Sequence, residues 1–144
     1  MALLFGYDIG SSSIKATLME AETGKVLASA TVPDREMEII AKKPGWAEQH
    51  PQTWWDNVVT ATQKIKAQTN FAASDVRAIG ISYQMHGLVI VNTKQEVLRP
   101  AIIWCDSRAV DIGRKAMKSI GEKKCLTHLL NSPGNFTASK LKWV

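Results

Sequence analysis

Asp8, Gly10, Ser11, Ser12, Ser13 and Lys15 stand close together in the stretch F-G-Y-D-I-G-S-S-S-I-K, residues 5–15, and their types suit phosphate chemistry. A glycine and three small hydroxyl residues let backbone N–H groups and Oγ atoms approach a phosphate without side-chain obstruction. A lone carboxylate just before them can hold a hydrated Mg²⁺ or orient water, because Mg²⁺ keeps several waters and takes few carboxylates. Lys15 adds a positive charge. The same residues also make a plain β-hairpin with a polar Gly/Ser turn, and the turn alone leaves both readings open.

Two further groups follow. Gln84-Met85-His86-Gly87 places a histidine and a thioether side by side; His86 is either a ligand contact or a packed, satisfied histidine. Cys105-Asp106-Ser107-Arg108 offers a carboxylate and a guanidinium, but Asp106 or Ser107 can equally cap the helix that follows.

These groups need elements to hold them. An apolar run from Ala2 carries a first strand into Asp8, Lys15 to Ala21 makes a second, and Lys25 to Val32 returns as a third after the turn Glu22-Thr23-Gly24. This predicts an α/β fold with a mixed sheet, its first three strands antiparallel. From Pro51, well placed at a first helical position, Trp54, Trp55, Val58, Val59, Thr62 and Ile65 form a helical stripe. The tryptophan pair reads as core, holding that helix on the sheet. Val76 to Ser82 has the length of a buried strand and, after a helical crossover, should lie parallel to the first. Open α/β sheets bind ligands beyond the carboxyl ends of their strands, so the Asp8 and His86 loops should share an edge.

Leu88 to Leu98 reads as a second hairpin around Asn92–Gln95, and Pro100 to Trp104 as another buried strand. Ala109, Ile112, Ala116 and Ile120 mark a helix that Gly121 stops. Thr137 to Val144 begins as a capped helix and stops on its apolar face, which is expected of a fragment or of half an assembly.

A chain of 144 residues with 45% apolar and 22% charged content can bury the core of one domain. The net charge of +5 is scattered, its densest groupings being the pairs Lys42-Lys43 and Lys123-Lys124, which argues against a nucleic-acid surface. No cationic segment precedes the first apolar run and Asp8 cuts it short, so neither a signal peptide nor a membrane span is expected. Cys105 and Cys125 lack metal or redox spacing and read as free thiols of a reducing, cytoplasmic setting. His50, His86 and His128 lack zinc spacing.

Taken in order, D-x-G-S-S-S-x-K, G-W-A-E-Q-H-P with W-W, Q-M-H-G, P-A-I-I-W-C-D-S-R and P-G-N-F-T-A-S-K-L-K-W-V resemble the N-terminal part of the FGGY carbohydrate kinases, over essentially the whole chain. The Q-M-H-G loop is similar to that of members acting on xylulose. The resemblance implies a ribonuclease H-like (actin/hexokinase-type) lobe with flanking helices. Residues 1–144 would then be an incomplete N-terminal kinase lobe, without the C-terminal ATP-binding lobe. It implies ATP and Mg²⁺ as cofactors, with Asp8 supporting Mg²⁺–ATP, through water, and Ser11, Ser12, Ser13 and Lys15 forming the phosphate loop. Met85, His86, Asp106 and Arg108 would bind the sugar, D-xylulose. The γ-phosphoryl group would pass to a primary hydroxyl under an aspartate base. No residue here matches that base, so this chain alone should be inactive.

No nucleic acid or membrane is expected as partner, and a homodimer is open to the full-length protein. Three rivals remain: a nuclease using Asp8 and further acids, of which only Asp106 is available; a nucleotide-switch module of the actin or Hsp70 kind, which leaves Q-M-H-G without purpose; and a basic nucleic-acid binder without the aromatic-interleaved clusters it needs. A kinase for another sugar or polyol of the same family is the nearest alternative.

Overall fold

The computed structural model describes residues 1–144, and the chain divides into two compact units. Met1–Glu38 with Gln52–Gln84 form the first, and Ile39–Pro51 with Met85–Val144 form the second.

Period-two alternation organises the first unit. In β1 (Leu3–Ile9), β2 (Ile14–Glu20) and β3 (Val26–Val32) alternate side chains are buried: Leu3 and Phe5, then Ile14, Ala16 and Leu18, then Ala28 and Val32. The three strands pair antiparallel, β1 with β2 and β2 with β3, as expected. A short β4 (Glu48–Gln49) belongs to the second unit, and helix α1 (Pro51–Gln68) follows, starting at Pro51 as its sequence signal indicates. Its Ala61 and Ile65 are fully buried against Leu3, Phe5, Ala16 and Leu18, and burying an isoleucine side chain contributes about 1.5–3 kcal/mol. The Thr62 hydroxyl donates to the Val58 carbonyl at 2.7 Å, so the 2.7 Å bond between Tyr7 and Thr62 uses the Tyr7 proton.

β5 (Val76–Tyr83) then pairs parallel with β1, giving the order β3-β2-β1-β5. Two expectations fail here. β5 is not buried: Ile79, Ile81 and Tyr83 are 60–72% exposed, because β5 is an edge strand with no layer over its outer part. Trp55, expected in the core, is 61% exposed, and only Ala61 and Ile65 of the helix are buried. Consecutive residues on a helix lie about 100° apart, and here Trp54 takes the partly covered direction while Trp55 points to the open one. Trp55, Val58, Val59, Tyr7, Ile9, Ile79 and Ile81 instead line an open apolar groove of about 420 Å³.

In the second unit, β4 pairs antiparallel with β6 (Ala101–Ile102), flanked by bridges Ile40–Glu48 and Leu88–Ile102. The strand expected over 100–104 shrinks to these two residues, with Ile103 buried beside them and Trp104 half exposed. The predicted hairpin closes at Val91–Val97, where the Asn92 carboxamide oxygen accepts from the Lys94 and Glu96 N–H groups, both at 2.9 Å. Three helices follow: α2 (Val110–Ile120), α3 (Glu122–Leu129) and α4 (Thr137–Trp143). Gly121 ends α2 at φ 101°, a conformation that favours glycine. Gly113 of α2 packs directly on the Pro133–Asn135 turn: a Cβ there would collide with the backbone of Pro133 and Gly134.

Candidate functional site

In the first unit the phosphate-type residues gather at the carboxyl end of β1. Parallel pairing aligns Asp8 with Ser82 and Ile9 with Tyr83, so β1 and β5 end together. The Gln84 N–H then donates to the Ile9 carbonyl at 3.1 Å, which fixes where the Q-M-H-G stretch leaves the sheet. The turn after Ile9 is tied by its backbone, with the Gly10 N–H donating to the Ser13 carbonyl at 3.1 Å and the Met37 N–H to the Ser12 carbonyl at 2.9 Å. A Cβ on Gly10 would lie 2.9 Å from that Ser13 oxygen, so the turn needs glycine for space.

The Asp8 side chain is about half exposed and Lys15 reaches to 3.8 Å from it, a loose pair between solvent-facing groups. One open carboxylate, three hydroxyls and one ammonium fit a hydrated Mg²⁺ carried on a phosphate chain. A directly held ion would need several converging ligands, and no three His, Cys, Asp or Glu side chains converge anywhere in the chain.

In the second unit Met85 is 67% exposed. His86 is half-buried, with its backbone at φ 61°, a left-handed conformation unusual for a residue with a side chain. Its imidazole stacks on Phe136 at 4.6 Å and 19°. Its carbonyl accepts from Lys140 Nζ at 2.8 Å, and the Gly87 carbonyl accepts from the Thr137 hydroxyl at 3.2 Å.

Asp106 and Arg108 are turned inward. Both side chains are essentially unexposed, and Arg108 donates to Asp106 through Nε (2.9 Å to each oxygen) and Nη2 (2.7 Å). Arg108 Nη1 also reaches Glu48 at 2.7 Å, and Glu48 takes a second cation, Arg99, at 2.6 Å. The Arg108 guanidinium lies 3.7 Å from the Trp46 ring and 5.0 Å from Trp143, and those two rings meet edge to face at 5.3 Å. The helix-cap reading of Asp106 is corrected: α2 has Ala109 at its N-cap without a side-chain bond, while Asp106 accepts from the Ala47 N–H at 2.6 Å and the Arg108 N–H at 2.9 Å. Burial alone pushes the Asp106 carboxyl up; the bonds from Arg108 and Ala47 and the Arg108 charge outweigh it and hold the group below the usual carboxylate range. Burial likewise works against the Arg108 charge, and Asp106 and Glu48 more than restore it.

Glu48, Phe136 and Lys140 received no role from the sequence. Each sits inside a stretch of unusual composition, G-W-A-E-Q-H-P or P-G-N-F-T-A-S-K, yet their partners lie about 50–60 positions away. The sequence predicts a side-chain cap on α4, but its N-cap is Phe136 without such a bond, and the Thr137 hydroxyl donates to the Gly87 carbonyl instead.

Residues 3–144 match the N-terminal domain of the FGGY family of carbohydrate kinases. The xylulose kinase of Escherichia coli strain K12 is 35% identical over 142 residues, which is 99% of this chain and 28% of that protein. The xylulose kinase of Bacillus subtilis strain 168 is 32% identical, with 100% of this chain and 28% of that protein covered. Among solved structures, the xylulose kinase from Rhodospirillum rubrum superimposes with a TM-score of 0.81 at 28% identity, over 98% of this chain and 28% of that one. The chain thus spans a little over a quarter of the length of these relatives.

Proposed function

The chain belongs to the FGGY family of carbohydrate kinases, and from that premise we propose that it supplies the phosphate loop and part of the sugar site of an ATP-dependent ketopentose kinase, with D-xylulose as substrate. Its fold is the α/β, ribonuclease H-like lobe of actin and hexokinase type, with the antiparallel β1–β3 and the parallel β1–β5 pair.

The observation that carries the proposal is the common carboxyl end of β1 and β5. It sets the open Asp8 carboxylate beside the Gly10–Ser13 turn and launches Gln84, from which Met85 and His86 follow in sequence. Bound Mg²⁺–ATP supplies the transferable phosphoryl group and its charge neutralisation. Asp8 would hold the hydrated ion, and Ser11, Ser12, Ser13 and Lys15 would contact phosphate oxygens. Met85 offers an exposed apolar contact and His86 a hydrogen-bonding edge to sugar hydroxyls. Asp106 and Arg108, both buried, would serve the sugar side from within, by holding the backbone around them rather than by touching the sugar. Phosphoryl transfer is mostly positioning and charge stabilisation, so such residues suffice on this side of the reaction. The aspartate base is assigned to no residue of this chain, and the 144 residues alone are proposed to be inactive. The free thiols Cys105 and Cys125 suit a reducing, cytoplasmic setting.

The test uses the kinase polypeptide that carries this domain. Asp8→Ala should lower kcat by about a hundredfold or more, the scale of losing a charge-stabilising group, while sugar Kd from titration calorimetry barely moves. His86→Ala should weaken D-xylulose binding by about 1–3 kcal/mol. Normal turnover with lost sugar affinity in the first variant, or an unchanged sugar Kd in the second, would overturn the assignment.

A further inference from the structure

Lys140 is fully buried, and the reading above gives it no task. Its Nζ donates to two carbonyl oxygens, His86 at 2.8 Å and Asn135 at 3.1 Å. We infer that Lys140 is a positioning residue for the sugar-recognition loop, fixing the backbone at His86 and, with Phe136 and Thr137, the direction of its imidazole.

Three observations converge. His86 holds a left-handed φ of 61°, which a β-carbon makes unfavourable and which persists only where the surroundings enforce it. The enforcing contacts all come from residues 136–140: the Phe136 ring on the imidazole, the Thr137 hydroxyl on the Gly87 carbonyl, and Lys140 on the His86 carbonyl. On the far side the Leu88 N–H donates to the Ile102 carbonyl at 2.8 Å, so residues 86–88 are held from both ends. A hydrogen-bonded cation is a costly way to fill a buried site, where an apolar side chain of equal length would pack as well, so its use argues for a task beyond packing. Burial pushes the Lys140 ammonium down, outweighing the Asp106 carboxylate, which opposes it, while the Arg108 charge adds to the downward push.

The catalytic consequence rests on reading His86 as a sugar contact; the structural part does not, and the experiment separates them. Lys140→Met, Lys140→Arg, His86→Ala and the double variant Lys140→Met/His86→Ala are prepared in the kinase polypeptide. Sugar KM, ATP KM and the imidazole NMR signals of His50, His86 and His128 are then read. Lys140→Met should raise sugar KM roughly tenfold, the scale of a lost charged hydrogen bond, and leave ATP KM unmoved. It should shift the His86 signals while those of His50 and His128 stay in place. Arginine should restore most of both effects, and the double variant should bind sugar no worse than His86→Ala. Multiplying effects in the double variant, or unmoved His86 signals in folded Lys140→Met, would overturn the inference. Where Lys140→Met does not fold, Thr137→Val tests the same clamp from its exposed side: about a twofold to threefold rise in sugar KM with a smaller His86 shift supports it, and no change in either refutes it. If His86→Ala leaves sugar binding unaltered, the functional reading fails, and the His86 signals in the Lys140 or Thr137 variant still decide the clamp.

Discussion

Replacing Arg108 by methionine removes the cation that two buried carboxylates share. Asp106 would keep its bonds from the Ala47 and Arg108 N–H groups at 2.6 and 2.9 Å, but no counter-ion. Glu48 would keep Arg99 at 2.6 Å, so the loss falls chiefly on Asp106. Breaking a buried ion pair from one side costs about 3–5 kcal/mol, because the remaining charge stays desolvated. Methionine preserves an apolar body against Trp46, which limits the packing loss, though the cation–ring contact at 3.7 Å goes as well.

The pH dependence has a definite sign. The Asp106 carboxyl lies below its ordinary value in the folded protein, so its contribution is present above the unfolded pKa of about 3.9 and is lost as pH falls through the depressed folded value. Without the Arg108 guanidinium, its side-chain bonds and its charge no longer oppose the effect of burial, and the carboxyl titrates higher than in the natural protein. The stability gap between the natural protein and Arg108→Met should therefore be widest near neutral pH and narrow towards about pH 4. Urea unfolding, followed by the exchange of the Ala47 and Arg108 amide protons and by the near-ultraviolet dichroism of the Trp46–Trp143 pair, measures it. Adding Asp106→Asn to the variant should recover a large part of the loss, since the orphaned charge disappears. A gap below about 1 kcal/mol at pH 7, the scale of a surface pair, would refute the reasoning. So would a gap that ignores pH.

Two further outcomes are expected. Gly113→Ala drives a methyl group into the backbone of Pro133 and Gly134, neither of which can yield as a flexible side chain would, so thermal unfolding should show a loss of about 1–3 kcal/mol or more; a neutral result would mean that α2 does not rest on that turn. Tyr7→Phe removes the donor to Thr62 at 2.7 Å and should cost about 0.5–1.5 kcal/mol in urea unfolding, with a Thr62→Val partner variant losing the same coupling; additive losses would exclude that bond.

Local patterns in the sequence predict the first unit well, because its elements are written in short periods. Alternation marks β1 to β3, Pro51 marks the start of α1, and a strand after a helix marks the parallel return of β5. What local pattern cannot say is which apolar face finds cover. Trp55, Ile79 and Ile81 look like core residues in sequence and remain exposed, because burial depends on what is stacked against them. The second unit is harder for a related reason. Its strands are two residues long, its helix α3 has no strong stripe, and its organising group joins Glu48 to Arg108 across 60 positions. Asp106 has the sequence signature of a helix cap, yet a guanidinium two residues on is a stronger partner than a helix N–H. The Q-M-H-G loop is legible as a motif, but the contacts that hold it come from a segment 50 residues later, which no spacing rule connects to it.

The outer edge of β5 bears on how the chain behaves in bulk. Eight residues, Val76 to Tyr83, have a neighbouring strand on one side only, and Ile79, Ile81 and Tyr83 stand out from the same strand. A long apolar edge of this kind is a template on which another extended segment adds a strand. Arg77 is the only charged residue along it, and the net charge of +5 supplies a general repulsion between molecules. That repulsion fades as salt shortens the Debye length from about 30 Å at 0.01 M to about 8 Å at 0.15 M. Any association through β5 would therefore be a colloidal property, favoured by concentration and ionic strength, and a polypeptide capping this strand would act as a solubiliser as much as a structural neighbour.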